Sequence, residues 1–514
     1  MKTFAIKARK KLIDEILDRI QMFSLDSKTE EPDLLPKDPV KQECFLQLQR
    51  QIEETDVLSV AEQAACIWFH RLVSIWFMEV NKYLPTEPFF SRFSPNGFKR
   101  NDVDTDTLEE QEEMQYWKTY GYTEQEAAAQ ILFMRVCHQL GHIFPKLFSC
   151  YAQPFDFLIP KFHVDSMIYE FLSLPKEDFV LSQGGQAEMI GWLYQYFHTE
   201  RKEETFALLQ KNIKITKERI PAATQLFTPD WIVRYMVENS VGKLWLEQHP
   251  NAELEEKWTY YLKSNNTFTR EKRSIELRPQ DITILDPCMG SGHILVYAFD
   301  ILMDIYGSQG YTKREAAGQI IANNLYGLEI DDSVSELAHF VIMMKARFYD
   351  ETILEQSRCV HVCSIQESNE ITDNLRQEIW QQFSMLEEEE RLAIDFVIDT
   401  FRDAKTYGSC LQMTQRFQPN FYEKTARRLR EIITDSTFNF NLEQWAIINQ
   451  WFPLLIALLE QAALLTRTYL VTITNPPYMG KKSLNKKIST FLEANYPNGK
   501  SELYAAFILR CKAF

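Results

Sequence analysis

The stretch from Thr283 to Leu295, Thr-Ile-Leu-Asp-Pro-Cys-Met-Gly-Ser-Gly-His-Ile-Leu, narrows the choice of fold more than any other part of the chain. An apolar run ending on Asp286 reads as a buried strand, and the Gly290-Ser291-Gly292 turn leads straight into a second apolar run that reads as a helix. Glycines there let backbone come close to a bound molecule, and the helix N-terminus behind them favours an anionic group. No Gly-Lys-Ser/Thr follows, so this is not a phosphate loop, and the spacing is not that of the dinucleotide fingerprint. One helix later, Asn324-Leu-Tyr-Gly-Leu-Glu-Ile-Asp331 reads as a second strand ending in acid, as expected of a parallel β-α-β unit. The expected fold class is α/β, with ligands held at the carboxyl ends of the strands.

That frame assigns roles. The helix N-terminus suits the methionine carboxylate of S-adenosylmethionine, Asp286 its ammonium or sulfonium side, and Glu329 both ribose hydroxyls. A purely structural reading, an acidic cap on the helix from Ser333 to Tyr349, suits Asp331 and Asp332 better than Glu329. Val360 to Ile365 reads as a third strand whose end offers Ser364 and Gln366 and no acid. A fourth, Tyr469 to Ile473, runs into Asn475-Pro476-Pro477-Tyr478, where two prolines forbid both ladder donation and helix. The Asn475 side-chain oxygen and the Pro476 carbonyl can accept from an NH2 group, while Tyr478 offers a face to a planar base. Taken alone, these four residues also fit a plain proline turn. Upstream, Thr228-Pro229-Asp230 signals a helix start, with Thr228 as cap and Pro229 in the first turn. Gln225, Phe227 and Thr228 would then face a carboxylate or a ribose.

The 514 residues are 45% hydrophobic and 25% charged, which is ordinary globular composition and enough for about two or three domains. Residues 1–215 read as mainly helical, with Ala61 to Leu84 as a helix buried within a bundle and ended by Pro85. Gln186 to Glu204 reads as a second helical block, and Asn101 to Glu113 as an exposed acidic loop. His138 and His142 read as a packed pair, since no third ligand is evident. The nine cysteines lack framework spacing, and Cys359-Val-His-Val-Cys363 alternates like a strand, so thiols in a reducing cytoplasm and no metal site are expected. No export signal is read, and Trp451 to Leu465 is too short and too polar, at Glu460 and Gln461, for a membrane span. Roughly a hundred residues separate the third and fourth strands and must form structure of their own. Asp373 to Arg402 and Tyr422 to Thr434 read as helices there, with Glu387 to Glu390 as a solvated face. Net charge −16 is awkward for an enzyme acting on nucleic acid. Lys481, Lys482, Lys486 and Lys487 cluster beyond Tyr478, where a base would enter, although a solvated loop explains them equally well.

Asp286-Pro287-Cys-Met-Gly290-Ser-Gly292, Gly327-Leu-Glu329-Ile-Asp331 and Asn475-Pro476-Pro477-Tyr478, with Thr224-Gln-Leu-Phe-Thr-Pro229 upstream, resemble the N6-adenine DNA methyltransferases of cofactor-first, γ-type motif order. Trp68 to Asn81, Ile190 to Tyr196 and Ile220 to Pro229 further resemble the PglX family of bacteriophage exclusion (BREX) systems, and this resemblance runs from about Leu12 to the last residue. It implies a Rossmann-like methyltransferase sheet behind a helical N-terminal domain. The cofactor-binding half would occupy 216–366, a helical insertion 367–466, and the catalytic-loop strand with its following helix 467–514. It also implies S-adenosylmethionine as cofactor and double-stranded DNA with a flipped adenine as substrate. Partner defence proteins would read the mark. Carried over by position, Gln225, Phe227, Thr228, Asp286, Pro287, Gly290, Gly292, Glu329 and Asp331 would hold the cofactor, and Asn475 to Tyr478 the adenine.

Two departures bear on this expectation: the third-strand end lacks the family's carboxylate, and the chain stops at Phe514, before the remaining strands and a target-recognition domain. A split gene with a separately encoded C-terminal half, or an artificial boundary at Phe514, would each explain the second departure, and the 514 residues alone are expected to be inactive on DNA. Two other classes stand beside this one. Protein glutamine N5-methyltransferases use the same Asn-Pro-Pro-Tyr loop on another planar NH2, and a non-catalytic subunit would suit the acidic balance.

Overall fold

Strands that are apolar on both faces need helices on both sides, and the sequence supplies them between every pair of strands. The computed structural model describes residues 1–25, 39–85, 88–94, 97–99, 107–149, 153–163, 166–210, 228–263, 276–355, 360–383, 385–413, 416–434, 440–481 and 483–514. One compact unit is built on Met1–Glu200 and a second on Arg201–Ile353 with Ser357–Phe514.

Among the described residues, the regular structure of the first unit is helical apart from a two-residue antiparallel pairing of Phe93–Ser94 with Gly97–Phe98. Its longest helix, Val57–Val80, starts on Asp56, whose side chain accepts from the Ser59 N–H at 2.8 Å. It buries Trp68 through Met78 without a gap, as its all-round apolar sequence requires. The helix ends at Asn81, whose side chain donates to the Phe77 carbonyl, so its stop comes before Pro85 is reached. Three further expectations are corrected. Gln186 to Glu204 divides into Met189–Phe197 and Thr199–Gln210, residues 108–113 begin the helix Leu108–Thr119, and His138 and His142 lie exposed.

The second unit holds a four-stranded parallel sheet: β1 (Ile284–Asp286), β2 (Leu325–Glu329), β3 (His361–Ser364) and β4 (Val471–Thr472), in the order β3-β2-β1-β4. Leu285, Tyr326 and Leu328 turn one face of the sheet to the helices between β3 and β4. Gly327 turns the other way, and a Cβ there would collide with Met289 Sδ at 2.4 Å and Leu295 Cδ1 at 3.0 Å, so the helix His293–Ser308 packs directly on that face. The chain runs from β1 outward through β2 and β3, then crosses back to place β4 on the opposite edge of β1. This reversal opens a crevice at the carboxyl ends of β1 and β4, the place where sheets of this kind bind ligands.

The insertion forms helices Asp373–Gln382, Glu388–Thr400, Pro419–Thr434 and Leu442–Thr466. The single helix expected over Asp373 to Arg402 is broken because Glu387 caps a new start, its N–H bonded to Glu390 Oε2 at 3.0 Å. Glu390 is buried by that bond and is not part of a solvated face. Among the described residues, Leu442–Thr466 is the one helix long and apolar enough to cross a membrane. It packs into the core over the sheet and carries Pro453 and the fully buried Gln461. Gln461 accepts from the Gln366 N–H at 2.6 Å and donates to the Gln366 carbonyl at 2.9 Å, tying this helix to the end of β3. Gln461→Leu leaves both backbone groups buried and unpaired, an expected loss of about 2–4 kcal/mol. A lowered urea midpoint with unchanged slope would register it.

Candidate active site

Asp286 ends β1 as a fully buried carboxylate. Its Oδ1 accepts the Cys288 N–H at 3.1 Å, and the Thr474 hydroxyl faces it without closing a bond of ordinary geometry, so Oδ2 is unsatisfied. Burial pushes Asp286 up to about 7, opposed by these two groups and aided by the neighbouring Glu329 charge. The turn that follows needs its glycines. Gly290 and Gly292 sit at φ +54° and +83°, and a Cβ on Gly292 would lie 3.2 Å from Ala338 Cβ. A Cβ on Gly290 would meet nothing within 4 Å, because that position looks into open space.

Glu329, at the end of β2, holds this turn in place. Its Oε2 accepts the Gly290 N–H at 2.9 Å and its Oε1 the Asp331 N–H at 3.2 Å, leaving lone pairs on both oxygens for a further donor. Burial, reinforced by Asp331, raises it to about 7. Asp331 caps the helix Asp332–Tyr349 by accepting the Val334 N–H at 3.2 Å, the structural role weighed for it from sequence.

At the end of β4, the Asn475 side-chain nitrogen donates to Thr228 Oγ1 at 3.0 Å. This corrects the reading of Thr228 as a helix cap: the helix Asp230–Val237 has Pro229 at its N-cap with no side-chain cap bond. Downstream, the Leu503 N–H bonds the Met479 carbonyl and the Lys481 N–H the Ser501 carbonyl, both at 2.9 Å, fixing the loop to the helix Leu503–Cys511. Tyr478 is 61% exposed and lies 5.9 Å from the Tyr504 ring.

A cleft open to solvent brings Pro287, Cys288, Gly290, Glu329 and Ile330 together with Asn475 and Pro477. Asp286, Gly292, Asp331, Thr228, Pro476 and Tyr478 surround or support it without lining it. Gln225, Phe227 and Lys482 lie outside the described residues. Lys481 pairs with Glu493 at 3.1 Å and Lys487 with Asp403 at 2.9 Å, while Lys486 is exposed. Sequence reasoning missed residues 406–410, which come from the insertion and line the cleft, and Phe491, Leu503 and Phe507, which line it with them. Only the helix holding Leu503 and Phe507 carried a signal, through its family resemblance. Among the described residues, no group of three or more His, Cys, Asp or Glu side chains is placed to hold a metal ion.

Residues 323–514 match the family described as Eco57I restriction-modification methylase, a span that takes in Glu329 and Asn475 to Tyr478. Over 99% of its length the chain is 30% identical to the adenine-specific methyltransferase PglX of Lacticaseibacillus casei (strain Zhang), and over 87% it is 31% identical to the adenine-specific methyltransferase BrxX of Escherichia coli O9:H4 (strain HS). Over nearly its whole length the chain is thus similar to PglX-type adenine-specific methyltransferases. It spans 45% of the length of the L. casei PglX protein and 38% of the E. coli one. A shorter stretch, 22% of the chain, is 30% identical to a putative type II restriction enzyme and methyltransferase of Methanocaldococcus jannaschii.

A carboxyl raised by burial makes folding take up a proton. For Glu329 that stabilisation is complete below about pH 4.5, its unfolded value, and is lost as pH rises through about 7. Glu329→Gln should therefore flatten the fall in stability between about pH 5 and about pH 8 by on the order of 3 kcal/mol. Urea unfolding of both proteins across that range measures it.

Proposed function

We propose that this chain is the cofactor-binding and catalytic part of a site-specific DNA methyltransferase. It would move a methyl group from S-adenosylmethionine to adenine N6 in duplex DNA, marking host DNA in a BREX-like phage-defence system. The observation that carries this reading is that Asn475 and Pro477 line the same cleft as Gly290 and Glu329. A base amine held by the loop would then lie beside whatever the glycine turn holds. The four parallel strands are read as the first part of a Rossmann-like methyltransferase sheet, and the helical unit before them as the family's N-terminal domain. A cytoplasmic setting and partner defence proteins follow from the same resemblance.

The residues present suit the cofactor. The orphaned Asp286 Oδ2 is a buried acceptor next to the turn, and the space beyond Gly290 would admit an amino-acid moiety. Glu329 has lone pairs for two ribose hydroxyls. The bound cofactor supplies an electrophilic methyl group. Asp286 would be ionised by a nearby cation, because an opposite charge lowers a pKa that burial has raised. Asn475, through its side-chain oxygen, and Pro476, through its carbonyl, would accept the two amine hydrogens and turn the nitrogen lone pair toward the methyl. Thr228, by holding the nitrogen end of the Asn475 carboxamide, fixes which end meets the amine. Tyr478, largely exposed at the mouth, would stack on the flipped base. With Lys481 and Lys487 paired to carboxylates and a net charge of −16, most of the affinity for duplex must come from elsewhere in the full-length protein or from a partner.

In the full-length protein, Asn475→Ala should abolish methyl transfer and leave cofactor affinity nearly unchanged. Tyr478→Ala should weaken base capture by roughly 1–3 kcal/mol. Single-turnover transfer from tritiated cofactor, with the product nucleoside identified by mass spectrometry, reads both. N6-methyladenine formed by Asn475→Ala at the wild-type rate would overturn the reading, and label found only on protein glutamine would replace it with the N5-methyltransferase. Thr228→Val should slow the same step at saturating cofactor, with Thr228→Ser restoring it.

A further inference from the structure

In the helical first unit, one thiol stands between two imidazoles. Cys66 Sγ lies 3.4 Å from His198 Nε2 and 3.8 Å from His70 Nε2, both within hydrogen-bonding reach of a sulfur. The cluster is not placed to hold a metal ion, and what it can do is chemistry on the sulfur. We propose that Cys66 is a peroxide-reactive thiol, with His198 as the group that takes and returns its proton and His70 as a fixed hydrogen-bond partner.

The fold brings the three residues together by separate constraints. Cys66 and His70 are four residues apart on the helix Val57–Val80, so they share one of its faces. His198 comes from the junction of the helices Met189–Phe197 and Thr199–Gln210, and Arg9 ties that junction to the long helix. Arg9 donates through Nη1 to Glu200 Oε2 at 3.1 Å, two residues after His198, and through Nη2 to Glu62 Oε1, one turn before Cys66. The Tyr194 ring packs on both imidazoles, 4.9 Å from the centre of His70 and 4.5 Å from that of His198. A nucleophile beside a base that is itself oriented by a further group is the arrangement that activates a thiol.

The two imidazoles are not equivalent. His70 is buried, and burial pushes it down to about 3, so at neutral pH it carries a single N–H and takes up no further proton. His198 is half-buried and keeps the contact with water that an imidazolium needs. Cys66 is half-buried as well, so a small solute can reach it. The S–H proton passes to His198, and a sulfur electron pair attacks the outer oxygen of a hydroperoxide, ROOH. The S–O bond forms as the O–O bond breaks, and the departing RO⁻ takes the proton back from His198 and leaves as ROH. Cys66 is oxidised by two electrons to the sulfenic acid, and the peroxide is reduced by the same two. A group that serves first as base and then as acid favours peroxide over an alkylating agent, whose leaving group needs no proton. Other thiols are disfavoured by their surroundings: burial pushes Cys137 up to about 12 and Cys511 up to about 11.

The test exposes the reduced full-length protein to hydrogen peroxide in the presence of dimedone, which traps sulfenic acid, and follows each cysteine peptide by mass spectrometry. Cys363 and Cys511 are the comparison, because both are half-buried like Cys66 and so control for access. A thiol without a base is only a few per cent ionised at neutral pH, so Cys66 should be labelled about tenfold or more faster than either. His198→Gln should cut that lead to about threefold or less and leave the rate at Cys511 unchanged, which also reports that the protein is still folded. In unfolding urea the lead should vanish. Equal rates in the wild-type protein, a lead that survives His198→Gln, or one that persists in urea would each overturn the assignment.

Discussion

β1 pairs on both of its edges, with β2 on one side and β4 on the other, and the candidate site depends on that placement. Being central, β1 ends on Asp286 with no solvent contact, and its neighbours deliver Glu329 and Asn475 to the same end of the sheet. Pairing at Leu285 with Thr472 and at Asp286 with Gly327 sets the register. A slip of one residue would turn each of these side chains to the other face. The Met289 N–H bond to the Leu328 carbonyl at 3.0 Å, and the Gly290 bond to Glu329, then fold the turn back across the end of β2. Topology alone thus brings residues far apart in sequence into one cleft.

The cost of this arrangement is electrostatic. Asp286 and Glu329 are both buried and both pushed up to about 7, chiefly by loss of water. An arrangement that disfavours two negative charges in the absence of a cation is one that a cationic ligand can relieve, which is why perturbed carboxyls mark candidate sites. Asp331 beside them is raised as well but is committed to capping a helix, so a shift alone does not assign a role. Glu329 is set apart by its position in the cleft wall.

Much of this was legible in sequence because the signals were local. The strand, glycine turn and helix around residues 283–295, the acid-ended second strand and the prolines after Asn475 each declare their geometry within a few residues. Thr228 was misread because a Thr-Pro start is a local cue, whereas its actual bond is to a residue far along the chain. Residues 406–410 were invisible for the same reason: nothing in Thr-Tyr-Gly-Ser-Cys says that an insertion will fold back onto Pro287. His138 and His142 were expected to pack, but an apolar helix can keep its polar residues on one exposed stripe, and there they lie.

The central claim is that one cleft holds S-adenosylmethionine between the glycine turn and the Asn475 loop. A crystal structure with S-adenosylhomocysteine tests it most directly. The account predicts the homocysteine amino and carboxylate groups at the turn by Asp286 and Gly290, the ribose hydroxyls on Glu329, and the sulfur facing Asn475. A ligand seated away from this cleft, or with its sulfur turned from Asn475, would contradict it.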